Sequence, residues 1–475
     1  MILKMLKRTL VIKQMFTLAN LFFLFFNIYG QDDALLSKHQ AIGDIDFLVT
    51  EIKRTHPAFI SNQYIDQIDQ KSDELIESLA GELSVKDLWK ELVPFINSLK
   101  DGHTHMGWFF DNSFIDKKLF PFETVLLNDT LYLHIKDSKH NDLNGGKIIS
   151  VNGHSINDLL DLMFQFVNHE SKTYSDTQIE KMFSYLYYII HGTNEFFTIK
   201  YSKEGNILTD KVCGVKPHNH PTIPNYENYT FSVLDSTGIK IGYLELNNCK
   251  NLNRFKSFLD DCIKTIDSEK ISKLVIDIRK NSGGSSEIAL LLLDYLISGN
   301  YHHANICFRN TKEIKDKLYS SSSINPNFLQ KINFLLSEKY FRDMLFHRKG
   351  NLICLDNNER KNTRHQTYEG DVYVLCSNIT YSAAISLAAI VKAYNRGMII
   401  GEPCSGLLTG YTQSQSIYLP NSGLRGYISE YYFVEPSNET HKHIIPDIII
   451  KPTLDGIIDG RDEVLDATVS LILTQ

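Results

Sequence analysis

The most informative segment of the sequence is Leu274-Val-Ile-Asp-Ile-Arg-Lys-Asn-Ser-Gly-Gly284, an apolar run that leads into a polar turn with two glycines. The pattern predicts a buried strand, and the apolar residues from Ile288 onward predict a helix directly after the turn. Glycines let the backbone approach a ligand, and N–H groups at a helix start can donate to a developing negative charge. Taken alone, the segment is more typical of a plain strand-to-helix turn, since Gly-Gly turns are common at strand ends.

A second segment has the same form: Val372-Tyr-Val-Leu-Cys-Ser-Asn-Ile-Thr-Tyr-Ser-Ala-Ala384. It predicts a buried strand followed by a helix of small residues that begins at Ser382. A serine there can be a nucleophile, with the N–H of Ala383 beside it as an oxyanion donor. Serine is equally frequent at this place as a helix N-cap. The residues alone leave both interpretations open.

The regions around these two segments differ in pattern. Strands and helices alternate after residue 223, which favours an α/β core with helices packed on a largely parallel sheet. The alternation pauses at residues 301–368, which we interpret as an insertion. Residues 40–100 predict helices, and residues 120–200 predict a small β-rich domain with helices.

Two histidines spaced by one residue occur in Leu99-Lys-Asp-Gly-His-Thr-His-Met106. A neutral imidazole at His103 could accept a serine proton, with Asp101 assisting locally. The alternative is a metal-dependent hydrolase, because His441 and His443 repeat the spacing of His103 and His105. No H-E-x-x-H helix accompanies the two pairs, so we expect no metal.

Composition excludes several classes. The chain has 475 residues with 43% hydrophobic and 22% charged residues and a net charge of −7, so we expect a folded globular body and no nucleic-acid partner. Four basic residues precede an apolar run from Met15 to Tyr29, which predicts a signal peptide cleaved near Gly30 and a protein exported to the periplasm or the extracellular space. No later run approaches the ~20 residues of a membrane span. Seven cysteines predict mostly small core residues, without a readable disulfide connectivity.

The order Asp-Gly-His-Thr, Ile-Asp-Ile-Arg-x-Asn-x-Gly-Gly, Thr-x-Ser-Ala-Ala, Ile-Ile-Gly-Glu and Pro-Asp-Ile resembles the tail-specific (C-terminal processing) serine peptidase family. That family includes the tricorn core and retinoid-binding relatives, and the resemblance covers nearly the whole chain after the signal peptide. It implies an α/β fold with a ClpP/crotonase-like catalytic domain. The implied regions are a signal peptide at 1–30, an N-terminal helical region at 31–115, a PDZ-like domain at 116–222 and the peptidase domain at 223–475.

The resemblance also implies site residues. Ser382 matches the nucleophile, and Gly283, Gly284 and Ala383 match the oxyanion hole. The processing-protease branch uses a lysine as base, but this chain has Leu407 at that place. The tricorn-like branch uses a histidine from the N-terminal region, which here is His103. Its acidic third residue matches Glu439, with Glu435 and Glu430 as close rivals.

The expected function is therefore that of an exported serine-type endopeptidase without metal or cofactor. Its substrate is a polypeptide whose C-terminal end the PDZ-like domain would hold by strand addition. The alternative is a catalytically inactive relative that binds a peptide or a small ligand, since the lysine base is missing. The sequence does not determine the oligomeric state.

Overall fold

The structure is a computed structural model, and it describes residues 35–110, 114–136, 138–220, 227–311, 314, 350–355, 358–437 and 441–474. The predicted signal peptide and most of the predicted insertion lie outside the described residues. Helices and several sheets are both present, so the prediction of a mixed α/β architecture is confirmed.

The N-terminal region is mainly helical. Helix α1 begins after Ser37, whose side chain and Gln40 form a capping box. Its buried residues include Ile45, Leu48 and Ile52, which recur at helical spacing as the sequence predicted. The elements are β1 (Leu35–Leu36), α1 (Lys38–Thr55), a 3-10 turn (Pro57–Ile60), α2 (Asn62–Ser78), β2 (Leu83–Ser84), α3 (Val85–Asn97) and β3 (His105–Met106).

The middle region is an antiparallel sheet with two helices. Its strands lie in the order β4-β5-β6-β8-β9, and β7 pairs with β6. Along β8, buried Phe197, Ile199 and Tyr201 alternate with more exposed residues, as expected for a sheet with one covered face. The elements are β4 (Glu123–Leu127), β5 (Thr130–His134), β6 (Lys147–Val151), β7 (His154–Ser155), α4 (Ile156–Phe164), α5 (Lys172–His191), β8 (Phe196–Lys203) and β9 (Asn206–Cys213). Short 3-10 turns lie at Phe114–Asp116, Ser138–Leu143 and Pro217–Asn219.

The C-terminal region contains two large sheets and a two-stranded sheet of β13 and β16. Its strands are β10 (Tyr229–Ser236), β11 (Ile239–Leu246), β12 (Lys273–Asp277), β13 (Tyr301–His302), β14 (Asn305–Arg309), β15 (Leu352–Leu355), β16 (Glu359–Arg360), β17 (Asp371–Cys376), β18 (Met398–Gly401), β19 (Thr409–Tyr418), β20 (Arg425–Val434) and β21 (Ile448–Ile449). Its helices are α6 (Leu252–Glu269), α7 (Ser286–Leu296), α8 (Ala383–Ala393), α9 (Leu454–Asp459) and α10 (Glu463–Thr474).

The larger sheet has the order β10-β11-β12-β17-β18-β21, antiparallel at the first pair and parallel in the others. Leu274 and Ile276 of β12 pack in the core with α6, α7 and α8, whereas Val275 packs on the opposite face with α10. Helices thus cover both faces, which explains the continuous apolar runs of β12 and β17. Because β12 and β17 are parallel neighbours, their two carboxyl-terminal turns lie side by side.

The second sheet carries the order β15-β14-β20-β19, and the short strand β3 pairs with β20. This pairing places the segment after α3 against the C-terminal region, far along the chain. A disulfide between Cys307 and Cys354 joins β14 to β15. Four of the other cysteines are buried, as predicted, and Cys213 is exposed. Within the described residues, no helix is both long and apolar enough to cross a membrane.

One buried carboxylate attaches α1 to the turn between β19 and β20. Asp44 is fully buried and accepts hydrogen bonds from the backbone N–H groups of Asn421 and Ser422, both at 2.8 Å, and from Asn421 Nδ2 at 3.0 Å. Hydrogen bonds to a charged acceptor are stronger than those between neutral groups. The helical region therefore supports the hairpin that carries β20.

We expect Asp44→Ala to lower the free energy of unfolding by about 2–4 kcal/mol, because it leaves buried N–H groups without an acceptor. Asp46→Ala is the matched control, since Asp46 is exposed on the same helix, and it should change stability by less than about 0.5 kcal/mol. Urea unfolding followed by circular dichroism measures both. Equal effects of the two substitutions would contradict the anchoring role of Asp44.

Candidate active site

Ser382 occupies a strained turn between β17 and α8. Its backbone has φ 53° and ψ −125°, a conformation that residues other than glycine rarely adopt. It stands at the N-cap position of α8, yet its side chain makes no capping hydrogen bond. Strained residues of this kind cluster at active sites. The hydroxyl is thus held by the backbone at the helix start and left available for another partner.

That partner is His103. Its Nε2 atom lies 3.4 Å from Ser382 Oγ, although the two residues are 279 positions apart. The imidazole stacks on Tyr381, with ring centroids 5.3 Å apart. The backbone carbonyl of His103 accepts a hydrogen bond from Ser414 Oγ at 2.5 Å. The distance between imidazole and hydroxyl is long for a hydrogen bond, as is common for catalytic pairs without substrate.

Asp101 holds the turn that carries His103. Its buried carboxylate accepts hydrogen bonds from the backbone N–H of His103 at 2.9 Å, from Ser429 Oγ at 2.6 Å and from His56 Nε2 at 3.1 Å. Because His56 Nδ1 accepts the N–H of Ala58 at 3.2 Å, the proton of a neutral His56 is on Nε2. Burial acts to raise the pKa of Asp101, but the hydrogen bond and charge interaction with His56, the charge interaction with His103 and the bond from Ser429 together outweigh it and hold that pKa well below its ordinary value. Asp101 is therefore ionised.

The environment keeps His103 in its neutral form. Burial lowers the pKa of His103, and the charge of Asp101 and a hydrogen bond to the Tyr411 backbone offset only part of that effect. A neutral imidazole is the form that can accept a proton from serine. Its side chain is therefore in the correct state to act as a base at neutral pH.

The two predicted oxyanion glycines lie beside Ser382 but differ in their N–H groups. The N–H of Gly283 donates to Asn281 Oδ1 at 2.8 Å. For the N–H groups of Gly284 and Ala383, the described residues provide no acceptor. A Cβ atom on Gly283 would lie 2.6 Å from Ser382 Cβ, so only glycine fits there. Gly283 thus provides space for the serine, while Gly284 and Ala383 present donors.

Of the three acidic residues considered as the third member of the site, two lie within the described residues. Glu439 lies outside the described residues, so its role stays a prediction. Its rivals Glu430 and Glu435 are both buried. Glu435 Oε1 accepts a hydrogen bond at 2.5 Å from Ser386, one helical turn after Ser382, and burial raises the pKa of Glu435 to about 7.

The two His-x-His pairs do not share a site. His105 Nδ1 faces the carbonyl of Met106, and His443 Nδ1 faces the carbonyl of Gly406. Among the described residues, neither His105 nor the pair at 441 and 443 belongs to a cluster of three potential metal ligands. The grouping that does occur brings single donor atoms of Asp101, His103 and Glu170 within 4.8 Å of one another. Asp101 already accepts three hydrogen bonds and His103 faces Ser382, so this grouping is part of the serine site.

Sequence reasoning missed the contribution of the middle region. Glu170, in the loop between α4 and α5, accepts the N–H of Gly102 at 3.1 Å. Asn168 Nδ2 donates to the carbonyl of Asp101 at 2.5 Å. Tyr174 of α5 stacks on Tyr381, with ring centroids 4.5 Å apart. No local motif marks these residues, because their importance arises only from a contact between distant segments.

Comparisons with known proteins agree with this architecture. Residues 240–450 match the sequence model of Peptidase family S41. A crystal structure of mature CPAF is similar, with a TM-score of 0.69 and 16% identity over 92% of this chain and 97% of that chain. A structure of mature CPAF complexed with lactacystin gives a TM-score of 0.67 and 15% identity over 92% and 98% of the two chains. The photosystem II D1 C-terminal processing protease gives a TM-score of 0.45 and 13% identity over 89% and 98%.

No curated protein matches the sequence. The structural similarity to CPAF therefore describes the fold, and the sequence match describes the family. Both include the sheet that carries the turns at Gly283 and Ser382. Residues 240–450, which include the turns at Gly283 and Ser382, therefore match Peptidase family S41, and the predicted resemblance to tail-specific serine peptidases is confirmed for that part of the chain.

Proposed function

We propose that the protein is a serine-type endopeptidase in which Ser382 is the nucleophile and His103 is the general base. The observation that carries the proposal is the 3.4 Å approach of His103 Nε2 to the hydroxyl of a strained serine. His103 takes the hydroxyl proton as Oγ bonds to the peptide carbonyl carbon, and returns it to the leaving amine as the C–N bond breaks. Water then hydrolyses the acyl-enzyme by the same steps.

The negative oxygen of the tetrahedral intermediate needs preorganised donors. We assign this role to the N–H groups of Gly284 and Ala383, which flank Ser382 and have no acceptor among the described residues. The bond from Gly283 to Asn281 favours a spacing role for Gly283. Loss of one such donor typically costs about 10²–10³ in kcat.

The domain assignment follows the same logic. We propose a helical region at 31–115, a PDZ-like domain at 116–222 and a ClpP/crotonase-like domain at 223–475, with an insertion at 301–368. The antiparallel sheet of β4 to β9 and the largely parallel sheet around β12 and β17 support the second and third of these. Export after cleavage near Gly30 agrees with the Cys307–Cys354 disulfide, because such bonds persist mainly in oxidising compartments.

A cavity of about 440 Å³ lies between β4, α5 and the turns that follow β12 and β17. Lys136, Lys181 and Lys280 stand on its wall, and each is paired with a carboxylate of the protein. A terminal carboxylate of the substrate would bind there by displacing one of these partners. The strand edge at β4 is partly occupied, since the N–H of Leu126 donates to Glu180 at 3.1 Å. Strand addition by a peptide at this point therefore requires Glu180 to move. We propose this cavity as the site that holds the C-terminal end of a polypeptide substrate.

The second candidate function is that of an inactive peptide- or ligand-binding relative. It is favoured by Leu407, which stands where the processing branch has its lysine and offers no base. A fluorophosphonate probe separates the two functions, because it reacts only with an activated serine.

We expect the protein to react with the probe, and Ser382→Ala and His103→Ala each to lower the labelling rate by at least about 100-fold. His105→Ala is the matched control, because His105 is half-buried on the same segment and stacks on Tyr427. That variant should stay within about threefold of the unmodified protein, provided that circular dichroism shows it folded. Absence of labelling in the folded protein would favour the binding function.

Gly283→Ala should abolish labelling, since its Cβ would overlap Ser382 and its φ is +107°. Gly238→Ala is the control: φ is +85° there, but no atom lies within 4 Å of the added Cβ. It should cost about 1–2 kcal/mol in stability and leave the labelling rate unchanged. If Gly283→Ala labelled as fast as the control, the close packing of the turn against Ser382 would be refuted.

Recognition of the substrate's tail is tested with two peptides of one sequence, one with a free C-terminal carboxylate and one with a terminal amide. We expect kcat/KM to be about tenfold higher for the free carboxylate, the effect of one charge-assisted hydrogen bond. Equal values would contradict capture of the C-terminal end while leaving the catalytic assignment intact.

A further inference from the structure

A series of polar side chains extends from His103 away from Ser382. His103 Nδ1 lies 3.4 Å from the hydroxyl of Tyr381, the residue directly before the proposed nucleophile. The carboxylate of Glu170 lies within 4.8 Å of a ring nitrogen of His103. All three side chains are enclosed where the middle region meets the C-terminal region. The series therefore consists, in order, of a serine, a histidine, a tyrosine and a glutamate: Ser382, His103, Tyr381 and Glu170.

The protonation state of His103 gives this series of side chains a direction. When His103 Nε2 accepts the serine proton, the ring proton is on Nδ1. Nδ1–H then faces the hydroxyl oxygen of Tyr381 at 3.4 Å, and the His103 ring also has the Tyr411 backbone as a hydrogen-bond acceptor. Tyr381 in turn has its own O–H to donate. On the side away from His103, this hydroxyl faces the carboxylate of Glu170.

Glu170 has one oxygen engaged and one available. Oε1 accepts the N–H of Gly102 at 3.1 Å, next to His103 in the chain. Oε2 is buried and has no hydrogen-bond partner of ordinary geometry among the described residues. The Tyr381 hydroxyl stands beside it: a Cβ atom built on Gly102 would meet both groups, Oε2 at 2.9 Å. The Tyr381 hydroxyl faces this carboxylate, and burial, followed by the negative charge of Glu170, raises the pKa of Tyr381, so the hydroxyl keeps its proton.

We propose that Glu170 is a positioning residue that acts on His103 through Tyr381, its carboxylate orienting the tyrosine hydroxyl that faces Nδ1 of His103 and stabilising the imidazolium formed during catalysis. The inference rests on the proposed Ser382–His103 pair and adds a third group to it. It assigns a role to the middle region, which supplies Glu170 from the loop between α4 and α5. In the Ser-His-Asp triad an acid orients the histidine directly, and here the acid would act through an intervening phenol.

The charge of Glu170 is controlled by its surroundings. Burial, followed by the negative charge of Asp101, raises the pKa of Glu170 to about 7. The titratable groups that face it are Asp101, His103, Tyr174 and Tyr381. A raised pKa means that the carboxyl is neutral below about pH 7 and ionised above it. The ionised form stabilises the imidazolium, so the reaction should accelerate as pH rises through 7, whereas His103 loses its own proton at lower pH.

The experiment measures the fluorophosphonate labelling rate of the full chain from pH 5 to pH 9.5. We expect two ionisations on the acid limb of the unmodified protein, one below 6.5 from His103 and one near 7 from Glu170. Glu170→Gln keeps the acceptor for Gly102 but has no charge, so the ionisation near 7 should disappear. The rate at pH 8.5 should fall by about tenfold, the effect of one pKa unit in the base.

Tyr381→Phe removes the intermediate hydroxyl and should reproduce this profile. The double variant should be no slower than either single variant, because both substitutions interrupt one chain. Glu435→Gln is the competing variant: Glu435 is also buried with a pKa of about 7 but contacts Ser386. It should keep the ionisation near 7.

Three results would overturn the inference. Glu170→Gln could lower the rate equally at every pH while the ionisation near 7 remains, which indicates a purely structural role. The ionisation could disappear in Glu435→Gln instead. The effects of Glu170→Gln and Tyr381→Phe could multiply, which indicates independent actions. Failure of the proposed function looks different, because then neither Ser382→Ala nor His103→Ala would change the labelling.

Discussion

The buried carboxylate of Asp101 is the contact on which the site depends, because it joins three parts of the chain that are distant in sequence. It accepts the backbone N–H of His103, the hydroxyl of Ser429 on β20 and the Nε2 proton of His56 at the end of α1. An ionised group in a buried environment is tolerated only when it is fully hydrogen-bonded. If the segment before β3 did not pack against β20 in this way, the charge of Asp101 would be left without hydrogen-bond partners. The position of His103 relative to Ser382 is a consequence.

The proposed nucleophile, Ser382, is positioned by a different part of the fold. The turns after β12 and β17 lie side by side because the strands are parallel neighbours, and Gly283 permits the approach of Ser382 that any side chain would block. The proposed base, His103, is thus positioned by the packing of the N-terminal region on β20, and the proposed nucleophile, Ser382, is positioned by the large sheet. The middle region meets both through Asn168 and Glu170. The arrangement of these groups therefore requires all three regions to be assembled.

Much of this could be predicted from local sequence, but some of it could not. The apolar runs of β12 and β17, the Gly-Gly turn and the helix start at Ser382 follow from periodicity and turn chemistry. The meeting of His103 with Ser382 rested on resemblance alone, since spacing in sequence contains no information on a contact across 279 residues. Glu170 and Tyr381 were missed for the same reason. The engagement of Gly283 by Asn281 and the Cys307–Cys354 pairing depend on three-dimensional register, which composition does not reveal.

The central claim is that Ser382 is the activated nucleophile, and the most direct measurement is the site of covalent modification. The protein is treated with a fluorophosphonate, digested, and analysed by peptide mass spectrometry to locate and quantify the adduct. The account predicts one adduct per chain, confined to Ser382. An adduct on another residue, or none on a folded protein, would contradict it.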